Sequence, residues 1–307
     1  MTTAARARVD SRATRVGLIA VVGPITAFSF MNVIVKLSHL SALAFAFYRL
    51  WMGALVMLVG LGVSGRRLSW TIVRRAAPGG VLFGANIAFF FGALKSTSVA
   101  DVLIVAALQP ALTMIVAGRL FGERVTPGDW LWTGVSIAGV VVVVVGSSGS
   151  PSWSLRGDLF AVGALLCWTV YWILSKRVRE TLPAFEYMAA VTFGAALVVT
   201  PVALGSGQVT GVRWRDWLWL VLFVAGAQGG HTILAWSHEQ VDVSISSLVI
   251  LIEPVVSSFV AFFVLGETLP AIAIAGGAVA VGAIGVVIRR AIRERRPDVA
   301  VPEIAPP

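Results

Sequence analysis

The polar residue with the clearest potential for chemistry is Glu253, which lies ten residues into a long apolar segment at 243–265. A helix rises about 1.5 Å per residue, which puts this carboxyl group about 15 Å from the start of the segment. If the segment spans a membrane, a charge at that depth is costly and usually faces a cavity or a partner. Glu253 is therefore a candidate for carrying a coupling proton or binding a substrate amine. A protonated or paired structural glutamate is the alternative.

Three other polar residues lie inside apolar segments and could share such a site. Gln228 and His231 are three residues apart and so lie on one face of a helix. The imidazole of His231 could relay protons at about pH 6–7. Asn86 has a similar depth in another segment, so we expect Asn86 and His231 to face one another across a cavity. Hydrogen bonds between helices would explain both side chains equally well.

Aromatic and basic residues add a surface that could recognise a substrate. Trp168, Tyr171 and Trp172 share one segment. Trp168 and Trp172, four residues apart, lie on one helix face, which could stack on a substrate or pack against other helices. Arg49 lies eight residues into its segment. It could reach outward to water, pair with a carboxylate such as Glu186, or bind a substrate carboxylate, and we favour a structural or gating role.

Ten apolar segments must position these residues. The 307 residues are 58% hydrophobic and 13% charged, which leaves too few polar side chains to coat a soluble globule. A β-barrel would show segments of about 10 residues that alternate polar and apolar, whereas these runs are twice as long and apolar throughout. The first is too long for a signal peptide and is expected to remain as a span. The predicted spans are 16–37, 41–63, 76–95, 102–120, 129–146, 157–175, 184–204, 217–237, 243–265 and 270–288.

The net charge of +9 suggests a nucleic-acid partner at first sight, but the positions of the basic residues indicate otherwise. With the N-terminus in the cytoplasm, 18 of the 24 Lys and Arg fall on the cytoplasmic side and five on the other, with Arg49 inside a span. This bias predicts that both termini are cytoplasmic. The basic clusters would face anionic lipid. We therefore expect the lipid bilayer of the bacterial plasma membrane, and not nucleic acid, as the partner.

The two halves of the chain repeat a motif 144 residues apart. Gln109–Pro110 recurs as Glu253–Pro254, and Gly122–Glu123 recurs as Gly266–Glu267. Each half holds five spans, so the second half enters the membrane in the opposite direction and the repeats are inverted. Inverted repeats are typical of secondary transporters, whose substrate site lies near the midplane between the halves.

The repeated Pro and Gly residues also predict local backbone features. Pro110 and Pro254 each remove a backbone hydrogen bond, so we expect disturbed helices with free carbonyls four residues earlier. A simple packing kink is the alternative. The Gly–Glu pairs lie at span ends, where Gly terminates helices, so we interpret Glu123 and Glu267 as structural, turn-forming residues.

The segments around these motifs resemble a known family. The sequences LQPALTMIVAGRLFGER at 108–124 and IEPVVSSFVAFFVLGET at 252–268 are similar to the ends of EamA domains. These domains define the drug/metabolite transporter superfamily. The resemblance covers about residues 17–290. It implies a ten-helix inverted-repeat fold and, as in many bacterial members, export of amino acids or other small metabolites.

Individual residues share this resemblance. Asn32 and Lys36 near the end of the first span look familial, as do Arg49 and Trp168. The chain departs from the family pattern at Phe28–Ser29, where a Trp–Gly pair is common. The lining of the first half is the part of the site that this departure affects.

These observations together predict an all-α polytopic membrane protein with ten transmembrane helices in two inverted five-helix repeats. The predicted units are a tail at 1–15, repeats at 16–146 and 157–288, and a basic, Pro-rich tail at 289–307. The predicted substrate-binding or coupling residues are Glu253, Gln109, His231, Asn86, Gln228, Trp168, Tyr171, Asn32 and Arg49.

The predicted function is secondary transport by alternating access, most simply export of small metabolites such as amino acids, with proton coupling as an option. A multidrug or other organic-solute transporter of the same fold is the first alternative, and a membrane scaffold or receptor is the second. The sequence contains no HExxH motif, no His cluster and no P-loop, so we predict neither an enzyme nor a bound metal or cofactor.

Overall fold

The computed structural model describes residues 11–97, 99–123, 125–148, 154–209, 211–239, 241–266 and 269–294. Within these ranges the chain forms twelve α-helices and no strand. The helices are α1 (Ser11–Leu37), α2 (Ala42–Val63), α3 (Trp70–Ser96), α4 (Val99–Ala106), α5 (Gln109–Phe121), α6 (Pro127–Ser148), α7 (Leu155–Arg179), α8 (Ala184–Gly205), α9 (Trp214–Ser237), α10 (Val243–Val249), α11 (Ile252–Leu265) and α12 (Ala271–Glu294).

All ten predicted spans appear as helical segments. Eight of them are single helices and two are each divided into two helices, which gives the twelve helices. In the described part of the chain, nine segments are long and apolar enough to cross a membrane. Helix α1 adds a shorter apolar stretch, Ile19–Met31. The predicted all-α polytopic membrane fold is confirmed.

Several helices extend beyond the apolar runs that predicted them. Helix α3 begins at Trp70 rather than at 76, and the side chain of Ser69 accepts a hydrogen bond from the N–H of Ile72 at its start. Such capping satisfies a backbone donor that would otherwise lack a partner. Helix α12 likewise continues to Glu294, past the predicted end at 288. The helical hydrogen bonds therefore continue into the polar ends of the bundle, where hydropathy no longer marks them.

Two spans are broken in the middle. Residues 107–108 separate α4 from α5, and residues 250–251 separate α10 from α11. Pro110 is the second residue of α5 and Pro254 the third of α11. In the first turn of a helix the missing N–H of proline needs no acceptor, so each proline fits the start of the new helix. The predicted disturbance is confirmed, and it places helix ends inside apolar spans.

The helices of the first half (α1–α6) and the second half (α7–α12) pack against each other in a two-fold pattern. Helix α3 packs against α7 and α8, and α9 packs against α1 and α2. Helix α6 packs against α12. Exchanging the halves turns the α3–α7 pair into the α9–α1 pair and leaves the α6–α12 pair unchanged. The fold thus consists of two inverted five-span repeats, and the core lies between them.

Glycines allow helices from different halves to approach closely. A methyl group on Gly139 of α6 would lie 2.7 Å from the carbonyl oxygen of Gly276 of α12. One on Gly276 would lie 2.8 Å from the carbonyl oxygen of Gly139. A methyl group on Gly84 of α3 would lie 2.9 Å from the carbonyl oxygen of Ala195 of α8. A larger side chain at any of these positions would push the helices apart.

The repeated Gly–Glu motif ends a helix in each half. Gly122 follows α5 with φ of 66°, and Gly266 follows α11 with the same φ. This left-handed conformation favours glycine, so the predicted turn role of both glycines is confirmed. Glu267 and most of the two predicted tails lie outside the described residues.

Candidate functional site

Side chains from both halves meet in one cluster between α2, α3, α7 and α9. It contains Arg49, Phe83, Trp168, Tyr171 and His231, and we call it the central cluster. The sequence predicted every member except Phe83, and the structure brings them together. Phe83 lies three residues before Asn86, on the same face of α3, and that spacing is the signal that could have identified it.

The rings of the central cluster stack on one another. Phe83 and Trp168 each stack on Tyr171 with ring centroids 5.3 Å apart. His231 meets Phe83 at 5.1 Å and Trp168 at 6.3 Å, in both cases edge to face. Phe28 of α1 covers another side of His231 at 4.6 Å. Rings in such contact form a stiff aromatic wall where the two halves meet.

Arg49 supplies the positive charge of the cluster. Its guanidinium carbon lies 5.9 Å from the ring centre of Phe83 and 5.2 Å from that of Phe223. Its Nε is buried without an acceptor, and the described residues provide no carboxylate within salt-bridge distance. Glu186, which the sequence offers as a partner for Arg49, forms an ion pair with Arg66 at 3.4 Å instead. That pairing forms because α8 begins beside the α2–α3 loop, at the opposite end of α2 from Arg49.

The two helix breaks hold the residues of the repeated motif. Gln109 begins α5, is 1% exposed, and has no partner for either side-chain amide atom among the described residues. The hydroxyl of Thr113, one turn later, is also buried without a partner in that part of the chain. Glu253 is half-buried at the start of α11, and its main-chain oxygen accepts a hydrogen bond from Ser29 Oγ at 3.2 Å. The break in the second half therefore lies against α1.

Two further predicted residues form hydrogen bonds between helices. Asn86 Nδ2 donates to the main-chain oxygen of Ala164 in α7 at 2.9 Å, and not to His231. Gln228 Nε2 donates to Thr192 Oγ1 in α8 at 3.0 Å. The expected pair of Asn86 and His231 is not formed, because Asn86 bonds to α7 while the imidazole of His231 is in contact with the rings of Phe28, Phe83 and Trp168. The side chain of Asn32 lies outside the described part of α1.

A second polar site, which the sequence did not predict, surrounds Glu123 at one end of the bundle. Its Oε1 lies 2.7 Å from Lys176 Nζ. Its carboxylate also accepts hydrogen bonds from the N–H of Val243, the N–H of Ser244 and the hydroxyl of Ser244. Burial raises the pKa of Glu123, but the charge of Lys176 and these hydrogen bonds outweigh burial, so the pKa lies below its ordinary value. Glu123 thus does more than form a turn: it joins α5, α7 and α10.

Lys176, Arg179 and Arg66 lie at the same end of the bundle as Glu123, and we call it the basic end. Further contacts between side chains lie there. Arg179 pairs with Glu239 at 2.9 Å, and its Nε donates to the main-chain oxygen of Ala235 at 3.1 Å. The Nδ1 atom of His238 lies 3.1 Å from the hydroxyl of Ser175. Burial lowers the pKa of His238 to about 3, and the charges of Lys176 and Arg179 act in the same direction. His238 is therefore neutral at physiological pH.

A groove of about 470 Å³ opens at the same end, between α8, α9 and the α2–α3 loop. It is lined by Arg66, Arg179, Phe185, Thr232 and Trp236, among others. Phe185 and Trp236 give it apolar walls, and Arg66, Arg179 and Glu239 give it polar groups. The groove is separate from the central cluster. Within the described ranges, no three His, Cys, Asp or Glu side chains are close enough to hold a metal ion.

The chain matches a family model twice. The model described as the EamA-like transporter family covers residues 15–145 and again 155–289. A solved crystal structure covers 93% of this chain and 99% of its own, with a TM-score of 0.76 at 21% identity, and it shares the fold.

Several curated relatives are similar over parts of the chain. The uncharacterized transporter YyaM of Bacillus subtilis is 26% identical over 231 residues, covering 71% of this chain and 75% of its own. The aromatic amino acid exporter YddG of Ancylobacter novellus is 31% identical over 121 residues, 38% of this chain and 41% of its own. A probable terminal-alkyne amino-acid exporter of Streptantibioticus cattleyicolor is 22% identical over 195 residues, 63% of this chain and 65% of its own.

Proposed function

Because the chain belongs to the EamA-like transporter family, we propose that it exports small metabolites such as amino acids across the plasma membrane by alternating access. The observation that carries this proposal is the central cluster. Arg49 and Phe83 come from the first half, and Trp168, Tyr171 and His231 come from the second. A site built from both halves changes its access when the halves move relative to each other.

The broken helices support the same proposal. A break inside an apolar span exposes backbone groups that lipid cannot satisfy, so such breaks are tolerated where they line a cavity or are buried in protein. In transporters with inverted repeats, broken helices commonly form the substrate and ion sites. Gln109 and Glu253 lie at the two breaks and are the proposed polar contacts there.

Amino acids are the first substrates to test. Two relatives are described as amino-acid exporters, one of them for aromatic amino acids. The stacked rings of the central cluster suit an aromatic side chain, and Arg49 suits a carboxylate.

Proton coupling is the proposed role of Glu253. A carboxyl group inside an apolar span can change its protonation as its surroundings alternate between wet and dry. Its repeat mate Gln109 cannot titrate, so the proposed coupling has a single acidic group. His231 is a second group that could exchange protons in the same pathway.

The proposed orientation places both termini and the basic end in the cytoplasm. Eighteen of the 24 Lys and Arg then lie on the cytoplasmic side, as the positive-inside rule requires. In this orientation the groove beside Arg66 and Arg179 opens toward the cytoplasm, the side from which an exporter takes its substrate.

Export of drugs or other organic solutes is the second candidate function. The aromatic wall of the central cluster favours it, because stacked rings bind many flat apolar molecules.

Transport measured with purified protein in liposomes distinguishes the two candidate functions. Nucleotide-independent flux of labelled amino acids, with weak competition by hydrophobic cations, supports the first. Flux of the cations without amino-acid transport supports the second, and no flux of any solute contradicts both.

A further inference from the structure

We propose that Arg49 binds an anionic group of the transported substrate, while the stacked rings of the central cluster hold an aromatic part of the same molecule. The inference rests on the proposed function and names the class of substrate, the aromatic carboxylates. It assigns to Arg49 a contact with substrate, where the sequence favoured a structural or gating role.

The first support is that Arg49 has ring contacts but no hydrogen-bond acceptor and no carboxylate among the described residues. Arginine stays protonated and has five N–H donors. Buried Nε has no acceptor, and the described residues offer the guanidinium neither a hydrogen bond nor a carboxylate. Buried polar groups in folded proteins are nearly always paired. A guanidinium inside a helical bundle that contacts rings but has no hydrogen-bond acceptor therefore marks a place where a ligand can supply the acceptor.

The second support is that the structure removes the competing roles. Glu186 is paired with Arg66, so it does not neutralise Arg49. Phe83 from the first half and Phe223 from the second flank the guanidinium, and Phe45 packs edge-on against Phe223 at 5.0 Å. These rings hold the guanidinium at the contact between the halves and away from the end of the helix.

The third support is the distance between the charge and the aromatic wall. Phe83 contacts both: its ring centre lies 5.9 Å from the guanidinium carbon and 5.3 Å from the ring of Tyr171. A carboxylate matches the planar guanidinium fork with two parallel hydrogen bonds. The rings nearest to a carboxylate bound in that way are those of Phe83 and Phe223, and Phe83 in turn contacts Tyr171 and Trp168. An aromatic amino acid or a related aromatic acid has this arrangement of charge and ring.

The test compares an acid with its amide. Binding of L-phenylalanine and L-phenylalaninamide to purified protein is measured by isothermal titration, and flux of the same two compounds is measured in liposomes. We expect the acid to bind at least about tenfold more tightly, which corresponds to about 1.4 kcal/mol. Arg49→Gln should remove this preference, and Arg49→Lys should retain part of it, because lysine keeps the charge and loses the fork.

Arg156→Gln is the matched control. Arg156 also stacks on a ring, with its guanidinium carbon 5.7 Å from the centre of Phe160, but it lies at the start of α7 and outside the central cluster. Its loss should leave the preference for the acid unchanged.

The outcomes separate this inference from the proposed function. Equal affinity for acid and amide in the unaltered protein overturns the inference, and so does a preference that survives Arg49→Gln. The first comparison needs no variant and holds even if Arg49→Gln fails to fold. A preference that depends on Arg49, seen in binding without any flux, supports the inference and contradicts transport. Flux of other solutes without binding of the acid does the reverse.

Discussion

Glu123 and Lys176 form an ion pair of 2.7 Å that joins the first half of the chain to the second. Glu123 follows α5, and Lys176 lies in the last turn of α7. The same carboxylate accepts the N–H groups of Val243 and Ser244 at the start of α10, where the helix dipole favours a negative charge. One side chain therefore ties three helices together at the basic end.

Loss of this carboxylate should destabilise the protein. Glu123→Gln removes the charge that pairs with Lys176 and leaves the ammonium largely enclosed, since the two side chains are 6% and 13% exposed. Lys176 then keeps Asp242, at 3.8 Å, as a weaker partner, so the loss should cost about 1–3 kcal/mol. Thermal unfolding in detergent should show a melting temperature lower by several degrees.

The matched control for Glu123→Gln is Arg75→Gln. Arg75 donates a hydrogen bond to Thr181 Oγ1 at 3.2 Å, and both residues are exposed. Substitutions at such surface positions change stability by about 0.5 kcal/mol or less, so this variant should melt close to the unaltered protein. Equal effects of the two variants would show that Glu123 has no special structural role.

The stability of the protein should fall in acid because of His238. Burial, with the nearby charges of Lys176 and Arg179, lowers its pKa from 6.5 to about 3, so the unfolded chain binds a proton that the folded protein excludes. The contribution of His238 to stability is therefore fully present above about pH 6.5 and decreases as the pH falls from there toward about 3.

The variant His238→Gln tests this, because glutamine can keep a contact with Ser175 and cannot titrate. The measurement is the melting temperature between pH 7.5 and 4.5, and its slope should be smaller in the variant; equal slopes would remove His238 as the cause.

Proton coupling should depend on Glu253. Glu253→Gln keeps the shape of the side chain and removes the titratable group, so it should abolish flux driven by a pH gradient while the protein remains folded. Flux in liposomes with and without a gradient, together with size-exclusion chromatography, measures both effects. Full pH-driven transport in the variant would exclude the coupling role. Gln109→Ala, at the corresponding break, should alter affinity without altering the dependence on the gradient.

Substrate affinity should depend on Trp168. Trp168→Ala removes the ring that stacks on Tyr171 at 5.3 Å and should weaken binding of an aromatic substrate by about tenfold. Trp51→Ala is the control, because Trp51 bonds to Thr200 Oγ1 and lies outside the central cluster. It should lower stability more than affinity. Unchanged affinity after Trp168→Ala would remove this ring from the binding surface.

Close packing of α3 on α8 should make Gly84 sensitive to a single added methyl group. That group would lie 2.9 Å from the carbonyl oxygen of Ala195, so Gly84→Ala should cost about 1–3 kcal/mol through helix displacement. At Gly134 of α6 an added methyl group meets nothing within 4 Å in the described structure. Gly134→Ala should therefore be neutral or stabilising by about 0.5 kcal/mol, since alanine favours the helix. Equal melting temperatures of the two variants would contradict the packing argument.

The helices and their breaks could be predicted because they depend on local properties of the chain. A membrane span reveals itself by length and hydropathy, and Pro110 and Pro254 mark the broken spans. The inverted repeat followed from the duplicated motif and an odd number of spans. The helix ends were less predictable, since capping residues such as Ser69 extend a helix beyond its apolar part.

The partners of individual side chains could not be predicted in the same way. The sequence offers a pair of Arg49 and Glu186 and predicts that Asn86 and His231 face one another. Neither pair forms, because each depends on how a helix is rotated in the bundle. Hydropathy constrains that rotation weakly in spans that are apolar on every side. Glu123 shows the same limit, because its partners lie in α7 and α10, far away in sequence.

The reciprocal contact between Gly139 and Gly276 helps to distinguish substitutions that affect overall stability from substitutions that affect the balance between the two access states. Because the α6–α12 pair maps onto itself when the halves exchange roles, we expect this contact to be present with the site open to either side of the membrane. A substitution there would raise the energy of both states equally and leave their relative populations unchanged. Glu123 and its partners Lys176 and Val243 lie at the basic end, so a substitution at Glu123 would act on that end of the bundle and would change the population ratio of the two states.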